Sequence, residues 1–216
     1  MEQQQLTVAF FGATGGCANA CLALALQAGY HCSASVQKTL YLNSRPVHLI
    51  VSGLGGKPRF EYGIKATLDS PTICQDGIQT LLSAAQSCPQ KPRIVIISST
   101  GLSNTRDVPI MMLPLYHWLL KVPHKDKKVM EDLVEAEMQK PAGEHAIDGY
   151  LMARPSLLTN GKGSGLSKIK TGTDKNPAVG YTISRRDAGL WIFEKVIHQA
   201  SLADCQHWKQ KVTLTV

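Results

Sequence analysis

Short apolar runs alternate with longer amphipathic stretches along the whole chain. Runs rich in Val, Ile and Phe are typical of buried parallel strands, and the amphipathic stretches between them are typical of helices that cross over a sheet. Strands are predicted at residues 6–11, 31–36, 47–52, 93–98, 149–153 and 211–216. Helices are predicted at residues 19–28, 72–87, 125–139 and 187–200. This order predicts one α/β domain over residues 1–216, built on a doubly wound parallel sheet.

One connection is too short for this pattern. About ten residues separate the second predicted strand from the third, whereas a crossover between parallel strands takes about a dozen or more. A nucleotide-binding fold of this type normally places a further strand and most of a helix there. We therefore expect a deletion around residues 35–46 and one strand fewer than usual.

The first strand ends in a glycine-rich turn, Gly12-Ala-Thr-Gly-Gly-Cys17. A strand, a glycine turn and a helix N-terminus together form a phosphate-binding site. Gly12 allows the tight turn and Gly15 lets backbone N–H groups approach a pyrophosphate, so we expect Thr14, Gly16 and Cys17 to border the same ligand. A plain βα turn that binds nothing has a similar pattern, and the context of strand and helix favours the binding site.

Composition excludes several classes of protein. The 216 residues, 44% hydrophobic and 18% charged, suffice for one core without crosslinks. The six cysteines show neither a C-x-x-C pair nor zinc-ligand spacing, so we expect reduced thiols and no metal. The first residues resemble no targeting signal, and no apolar stretch is long enough to span a membrane, so a cytoplasmic protein is expected.

The formal net charge of +7 favours anionic ligands. Lysines cluster at residues 121–128 and 162–175, but no basic stripe interleaved with aromatic residues points to nucleic acid. A solvated basic surface explains most of these lysines. We expect a small-molecule substrate, with neither nucleic acid nor membrane as a partner.

Four motifs occur in an order found in a known family. They are Gly12-Ala-Thr-Gly, Ser98-Ser-Thr-Gly, Ala153-Arg-Pro-Ser-Leu-Leu-Thr-Asn and Ile183-Ser-Arg-Arg-Asp-Ala. With them the chain resembles the atypical short-chain dehydrogenases/reductases, which have a Rossmann-like fold. It is most similar to the NmrA-like NAD(P)-binding branch, whose fungal members share the stretch at residues 107–128. The resemblance spans nearly the whole chain except residues 35–46 and implies an oxidoreductase.

The resemblance also implies where a dinucleotide would bind. Gly53 would stand beside the cofactor, Ser98 at the end of the strand before the active site, and Arg154 with Pro155 at the nicotinamide end. Ser35 is near the position that selects the 2′-phosphate of NADP. No Asp or Glu is present there to hold a ribose diol, which favours NADP over NAD. The missing wall around the adenine predicts weak binding.

The catalytic residues depart from the family pattern, because no Tyr-x-x-x-Lys sequence occurs. His124 and Lys128 have the same spacing, with histidine in the place of tyrosine, and Glu131 follows in the register of the family. Histidine can donate or accept a proton near neutral pH. We therefore predict Ser99, His124 and Lys128 as catalytic residues, with His124 facing the same cleft as Gly53. A solvated histidine at a helix start is the alternative.

Two further features leave alternatives open. The apolar stretch at residues 109–118 is a wall of the substrate pocket, a homodimer patch or simply core, and we favour the pocket wall. Arg185 and Asp187 line the site or form only a helix-capping ion pair.

Two functions follow from these observations. The first is an NADP-dependent reductase acting on a small carbonyl or enone substrate, which the intact glycine turn favours. The alternative is a relic of the fold that binds cofactor poorly. Such a relic would act as a redox-neutral isomerase, cyclase or dehydratase through Ser99 and His124, or as an NmrA-like regulatory binding protein. The deletion and the missing tyrosine favour this alternative.

Overall fold

The computed structural model describes residues 6–35, 46–61, 65–199 and 201–216. The strands are β1 (Thr7–Phe11), β2 (His31–Ser35), β3 (Leu49–Ser52), β4 (Pro58–Glu61), β5 (Lys65–Leu68), β6 (Arg93–Ile97), β7 (Gly149–Pro155), β8 (Leu157–Thr159), β9 (Lys170–Thr173), β10 (Thr182–Ser184) and β11 (Gln210–Thr215). The helices are α1 (Gly16–Gln27), α2 (Ile73–Gln86), α3 (Leu113–Leu119), α4 (Lys121–Glu137) and α5 (Arg185–Ile192), which continues into a π-helical turn, Phe193–Ile197.

The apolar runs form a seven-stranded sheet in the order β2-β1-β3-β6-β7-β11-β9. All neighbours pair in parallel except β9, which is antiparallel to β11 at the edge. The central strands are buried on both faces, which explains why their sequences are continuously apolar rather than alternating. The predicted doubly wound α/β fold is confirmed.

Helices cover both faces of the sheet and divide its core in two. Buried residues of α1 and α5 pack with Val8 and Phe10 on one face. Buried residues of α2 and α4 pack with Ala9 and Phe11 on the other. Alternate residues of β1 thus contribute to opposite cores, as the two-residue period of a strand requires.

The strand order reverses at β1, which lies between β2 and β3. The helices that follow β1 and β3, α1 and α2, pack on opposite faces, so a crevice opens where they diverge. In doubly wound sheets ligands bind in such a crevice, at the carboxyl ends of the strands. Gly12 follows β1 and Gly53 follows β3, so both glycines lie there.

Several predicted boundaries need correction. The β4–β5 hairpin, the short parallel pair of β8 with β10, and β9 were not predicted. Helix α4 begins at Lys121 rather than at residue 125, and residues 113–119 form helix α3. The predicted deletion falls on residues 36–45, outside the described residues, and within the described ranges β2 has β1 as its one neighbour.

None of the helices in the described ranges combines the length and the apolar character needed to cross a lipid bilayer. Among the same residues, no group of three or more His, Cys, Asp or Glu side chains is arranged to hold a metal ion.

Candidate functional site

The turn between β1 and α1 forms the first wall of the site. Gly12 has a φ of +64°, and a Cβ atom on it would lie 2.8 Å from the carbonyl group of Gly53. The Gly15 amide donates a hydrogen bond of 2.8 Å to the Gly12 carbonyl and closes the turn. Helix α1 then starts without a side-chain cap and without an acidic residue in its first turn. The N–H groups of its first three residues therefore have no intrahelical acceptor and are available to an anion.

A cleft of about 330 Å³ opens in front of this turn. It includes most of the residues predicted to bind the cofactor: Gly15, Gly16, Cys17, Gly53, Ser98 and Pro155. Thr14 is exposed in the turn and is not part of the cleft lining. Ser35 ends β2 opposite Phe11, and its side chain is outside the described part of the structure.

Ser98 supplies an unusual polar atom to the cleft. Its side chain is 2% exposed, and Oγ is a buried atom without a hydrogen-bond partner among the described residues. A buried hydroxyl without a partner costs free energy that a bound polar ligand recovers. The atom therefore marks a position where a ligand oxygen or nitrogen is expected.

Ser99 and His124 meet on the opposite side of the cleft. Ser99 Oγ and His124 Nε2 are 3.4 Å apart, and both residues line the cleft together with Gly53. His124 lies in the second turn of α4 and is half-buried. This is the position that its predicted catalytic role requires. The serine–histidine distance is at the long end of the hydrogen-bond range, as is common in catalytic sites without substrate.

Tyr116 reaches this site from α3, and the sequence did not predict it. Its ring centroid lies 5.4 Å from that of His124, and its hydroxyl is 3.1 Å from Thr100 Oγ1. Burial raises the pKa of the Tyr116 phenol, so the group stays protonated. The only sequence signal was the apolar stretch at residues 109–118, for which a pocket wall was favoured. Tyr116 does line the cleft, whereas Met111 is 83% exposed on the same stretch.

Lys127, not Lys128, is the lysine that faces the cleft. Lys127 Nζ donates to the Ile97 carbonyl at the end of β6, over 2.7 Å. Lys128 is exposed and pairs with Asp132 one turn further along the helix. The prediction that Lys128 lies in the active site is therefore wrong, because its side chain does not line the cleft. The physical reason is helical geometry, since successive side chains point about 100° apart and the next residue leaves the cleft.

Arg154 does not contact the cleft either, so its prediction as a cofactor-binding residue needs correction. Its side chain is 1% exposed and forms a two-armed ion pair with Glu131, with N···O distances of 2.9 and 2.6 Å. A third nitrogen contacts Asp174 and Ser103. The attraction of these carboxylates outweighs burial and holds the pKa of the guanidinium above its ordinary value. All three nitrogens of Arg154 are thus used, two in joining β7 to α4 and one in contacts with two loops.

Two cations, Arg185 and Lys127, give the cleft a positive potential near α1. Burial raises the pKa of the Cys17 thiol to about 11, although the charges of Arg185 and Lys127 act against this rise. The nearby Asp126 carboxylate is occupied by the backbone amides of Cys74 and Gln75, at 2.9 Å each. A neutral thiol beside two cations leaves the cleft suited to an anionic ligand.

Arg185 and Asp187 do not pair with each other. The Asp187 carboxylate accepts hydrogen bonds from the backbone amides of Ser164 and Gly165, at 2.8 to 3.0 Å. Arg185 instead lines the cleft. Of the two interpretations of this motif, the structure therefore excludes the ion pair.

A larger cavity of about 1020 Å³ opens at the opposite edge of the sheet, bordered by Leu6, His48 and Arg93. These residues precede or begin their strands, so the cavity lies at the amino ends. Ligand sites of doubly wound sheets lie at the carboxyl ends. The smaller cleft therefore remains the candidate site.

Comparisons with known proteins identify two related sequences and solved structures with the same fold. No protein-family model matches the chain. It is 39% identical to reductase pytE of Aspergillus terreus over 264 residues, covering all of both chains. It is 31% identical to oxidase pynE of Aspergillus niger over 284 residues, covering 97% of this chain and 98% of that one.

Among solved structures, the chain resembles a short-chain dehydrogenase/reductase of Veillonella parvula, solved in complex with NADP. The TM-score is 0.68 at 11% identity, and the match covers 98% of this chain and 94% of that one. At this identity the likeness establishes the fold. With two relatives matched over nearly their whole length, the chain belongs to the family of reductase pytE and oxidase pynE and has the Rossmann-like fold of short-chain dehydrogenases/reductases.

Proposed function

We propose that the chain is an NADP-dependent reductase of a small carbonyl or enone substrate, in the NmrA-like branch of the atypical short-chain dehydrogenases/reductases. The observation that carries this proposal is a single cleft shared by the uncapped first turn of α1 and the Ser99–His124 pair. The name of the relative pytE and the NADP complex of the Veillonella parvula protein support it.

The residues of the cleft fit a dinucleotide. The free amides of the first turn of α1 would bind the diphosphate, and the unpartnered Ser98 Oγ would bind a polar group of the nicotinamide half. When bound, NADPH supplies the hydride of the reduction. The alignment with pytE spans 264 positions against the 216 residues of this chain, so pytE has residues that this chain lacks, which supports the predicted deletion.

The protein's own groups supply the proton and orient the substrate. A carbonyl oxygen near Ser99 Oγ and His124 Nε2 would accept a hydrogen bond from the serine and a proton from the histidine. Tyr116 packs against the histidine ring, and Lys127 keeps a positive charge at the end of β6. His124 thus takes the role that tyrosine has in the short-chain dehydrogenases/reductases that the chain resembles.

Titration of the pure protein with NADPH and NADH tests the proposal, by nucleotide fluorescence and by the shift in melting temperature. We expect both to bind weakly, NADPH more tightly than NADH. Gly15→Asp should abolish binding, because it places a carboxylate against the diphosphate. Ala142→Asp adds the same charge in an exposed loop and should bind like the wild type. Tighter binding of NADH would contradict the NADP preference.

Two observations favour the redox-neutral alternative. The Ser99–His124 pair is complete without a dinucleotide, and the lysine at the family position, Lys128, faces away from the cleft. If neither NADPH nor NADH changes fluorescence or melting temperature, the reductase proposal is wrong and this alternative gains support.

A further inference from the structure

Arg185 lies across the first turn of α1, although it belongs to α5. A Cβ atom on Gly16 would stand 2.2 Å from Arg185 Cδ and 3.1 Å from its Cβ and Cγ. The aliphatic part of the arginine therefore occupies the space that the glycine leaves. One turn later, Gly189 lets α5 approach α1, because a Cβ there would lie 2.7 Å from Ala20 Cβ and from the Cys17 carbonyl. The close packing of α5 on α1 thus fixes the position of the Arg185 backbone relative to the first turn of α1.

Among the described residues, the guanidinium of Arg185 has neutral acceptors only. Nη1 donates to the Asn160 side-chain oxygen at 2.8 Å and to the Leu158 carbonyl at 3.2 Å. None of the ion pairs between described residues includes Arg185. By contrast, the buried Arg154 has two carboxylate partners. Arg185 therefore brings a positive charge that no described carboxylate pairs with, at a position oriented by Asn160.

Three independent features of the cleft favour an anion at this point. The first turn of α1 has free amides and no acidic residue, and Arg185 lies over it. Lys127 adds a second charge, and its amine donates to a carbonyl rather than to a carboxylate among the described residues. The partnerless Ser98 Oγ, buried in the same cleft, indicates that a ligand belongs there. A diphosphate bridging the amides of α1 and the Arg185 guanidinium would satisfy both of these groups.

We propose that Arg185 binds the diphosphate of the dinucleotide beside the first turn of α1, with Asn160 positioning its guanidinium. This inference rests on the proposed function, since it needs a dinucleotide in the cleft. The side chain contacts the segment after β7, near Leu158, and not β2, where selection of the 2′-phosphate takes place. Arg185 should therefore bind NADPH and NADH equally and contribute nothing to the choice between them.

The test compares Arg185→Gln with Arg186→Gln. Arg186 is the exposed neighbour, so both variants lose one positive charge from the same turn. Dissociation constants for NADPH and NADH are measured by fluorescence at one fixed salt concentration, and melting temperatures show that each variant is folded. We expect Arg185→Gln to weaken both dinucleotides by about tenfold to a hundredfold, the range for a lost charged hydrogen bond. Arg186→Gln should stay within about twofold of the wild type.

Arg185→Lys keeps the charge but loses the planar guanidinium. Its affinity for both dinucleotides should therefore lie between those of the wild type and Arg185→Gln. This variant also provides the answer if Arg185→Gln does not fold. A loss restricted to NADPH would assign Arg185 to the 2′-phosphate and overturn the proposal. Equal affinity of Arg185→Gln and Arg186→Gln would overturn it as well, while leaving the proposed function intact. A wild-type protein that binds neither dinucleotide would instead contradict the proposed function itself.

Discussion

At the scale of single residues, Gly101 determines where the two rings of the candidate active site lie. Its φ is +87°, and its amide donates to the Asp107 carboxylate over 2.9 Å. A Cβ atom on Gly101 would stand 2.7 Å from Tyr116 Cδ1 and 2.8 Å from His124 Cε1. Both rings therefore pack directly against a backbone that has no side chain, which brings His124 close to Ser99.

Gly101→Ala should displace both rings and lower turnover, in addition to straining the backbone. The control is Gly143→Ala, because Gly143 has a φ of +92° and no atom within 4 Å of its Cβ position. Each variant should lose about 1–2 kcal/mol from the left-handed conformation. Only Gly101→Ala should lose activity and further stability, as measured by turnover and by urea unfolding. Equal losses in the two variants would show that the rings adjust without cost.

His207 gives the protein a predictable response to pH. Its ring lies 5.1 Å from that of Trp191, and its pKa is lowered, first by burial and then by the charge of Lys195. Below about pH 6.5 the unfolded chain binds a proton here that the folded chain does not, until the lowered pKa is reached. The free energy of unfolding should therefore fall as the pH drops through this window. Urea unfolding between pH 7.5 and pH 5 should give a shallower fall for His207→Gln, and equal slopes would refute the assignment.

At the scale of elements, α4 is attached to α2 by one carboxylate. Asp126 accepts hydrogen bonds of 2.9 Å from the amides of Cys74 and Gln75, in the first turn of α2. The residue preceding α2, Thr72, makes no side-chain cap bond to the helix. A side chain distant in sequence thus performs the capping, and it also sets the rotation of α4 that directs His124 and Lys127 to the cleft.

Asp126→Asn should weaken this attachment, because an amide group offers one acceptor oxygen where two buried amides need one each. We expect a loss of about 1–3 kcal/mol in the free energy of unfolding, the usual penalty for a buried group without a partner. Asp132→Asn, on the exposed face of the same helix, should change it by less than about 0.5 kcal/mol. Urea unfolding at pH 7 compares the two, and similar values would mean that the cap carries no net stability.

An element could be predicted where its own sequence pattern determines it, and could not where contacts with distant residues do. Strands β1 and β6 are apolar runs followed by Gly12 and by Ser98. Both strands and the site residues after them, Gly15 and Ser99, could therefore be predicted. Helix α3 could not, because its apolar sequence shows no helical period and includes Pro114 near its start. Proline is tolerated in the first helical turn. For the same reason α4 can begin at Lys121, ahead of Pro123, rather than at the predicted residue 125.

Orientation within a predicted element was harder still. The sequence predicted Lys128 at the cleft, whereas Lys127 lines it, because the two neighbours lie on different sides of α4. Likewise, nothing local shows that Arg154 turns from the cleft toward Glu131. Both depend on partners distant in the chain, and the contact of Tyr116 with His124 has the same origin.

At the scale of the whole molecule, a buried polar network links the sheet to the helix that contains His124. Arg154 of β7 binds Glu131 of α4 through two hydrogen bonds, and Glu131 is completely buried. The same guanidinium reaches Asp174 and Ser103, so one side chain connects β7, α4 and two loops. Ser103 in turn donates to Asp107, which receives the Gly101 amide. The network thus continues to Gly101, against which the rings of Tyr116 and His124 pack.

Glu131→Gln should therefore affect both stability and the site. It leaves the buried guanidinium with one partly exposed carboxylate, Asp174, and removal of one partner from a buried ion pair costs about 3–5 kcal/mol. Glu135→Gln is the matched control, because Glu135 pairs with Lys211 near the surface, where such pairs contribute about 0–1 kcal/mol.

Urea unfolding measures the stability of both variants, and NADPH fluorescence measures whether α4 keeps its place at the cleft. We expect Glu131→Gln to weaken NADPH binding along with stability, and Glu135→Gln to change neither by much. The double replacement Glu131→Leu with Arg154→Met should regain most of the lost stability, since no buried charge is then left unpaired. If this double variant is stable but binds NADPH as the wild type does, the network stabilises the fold without positioning the site.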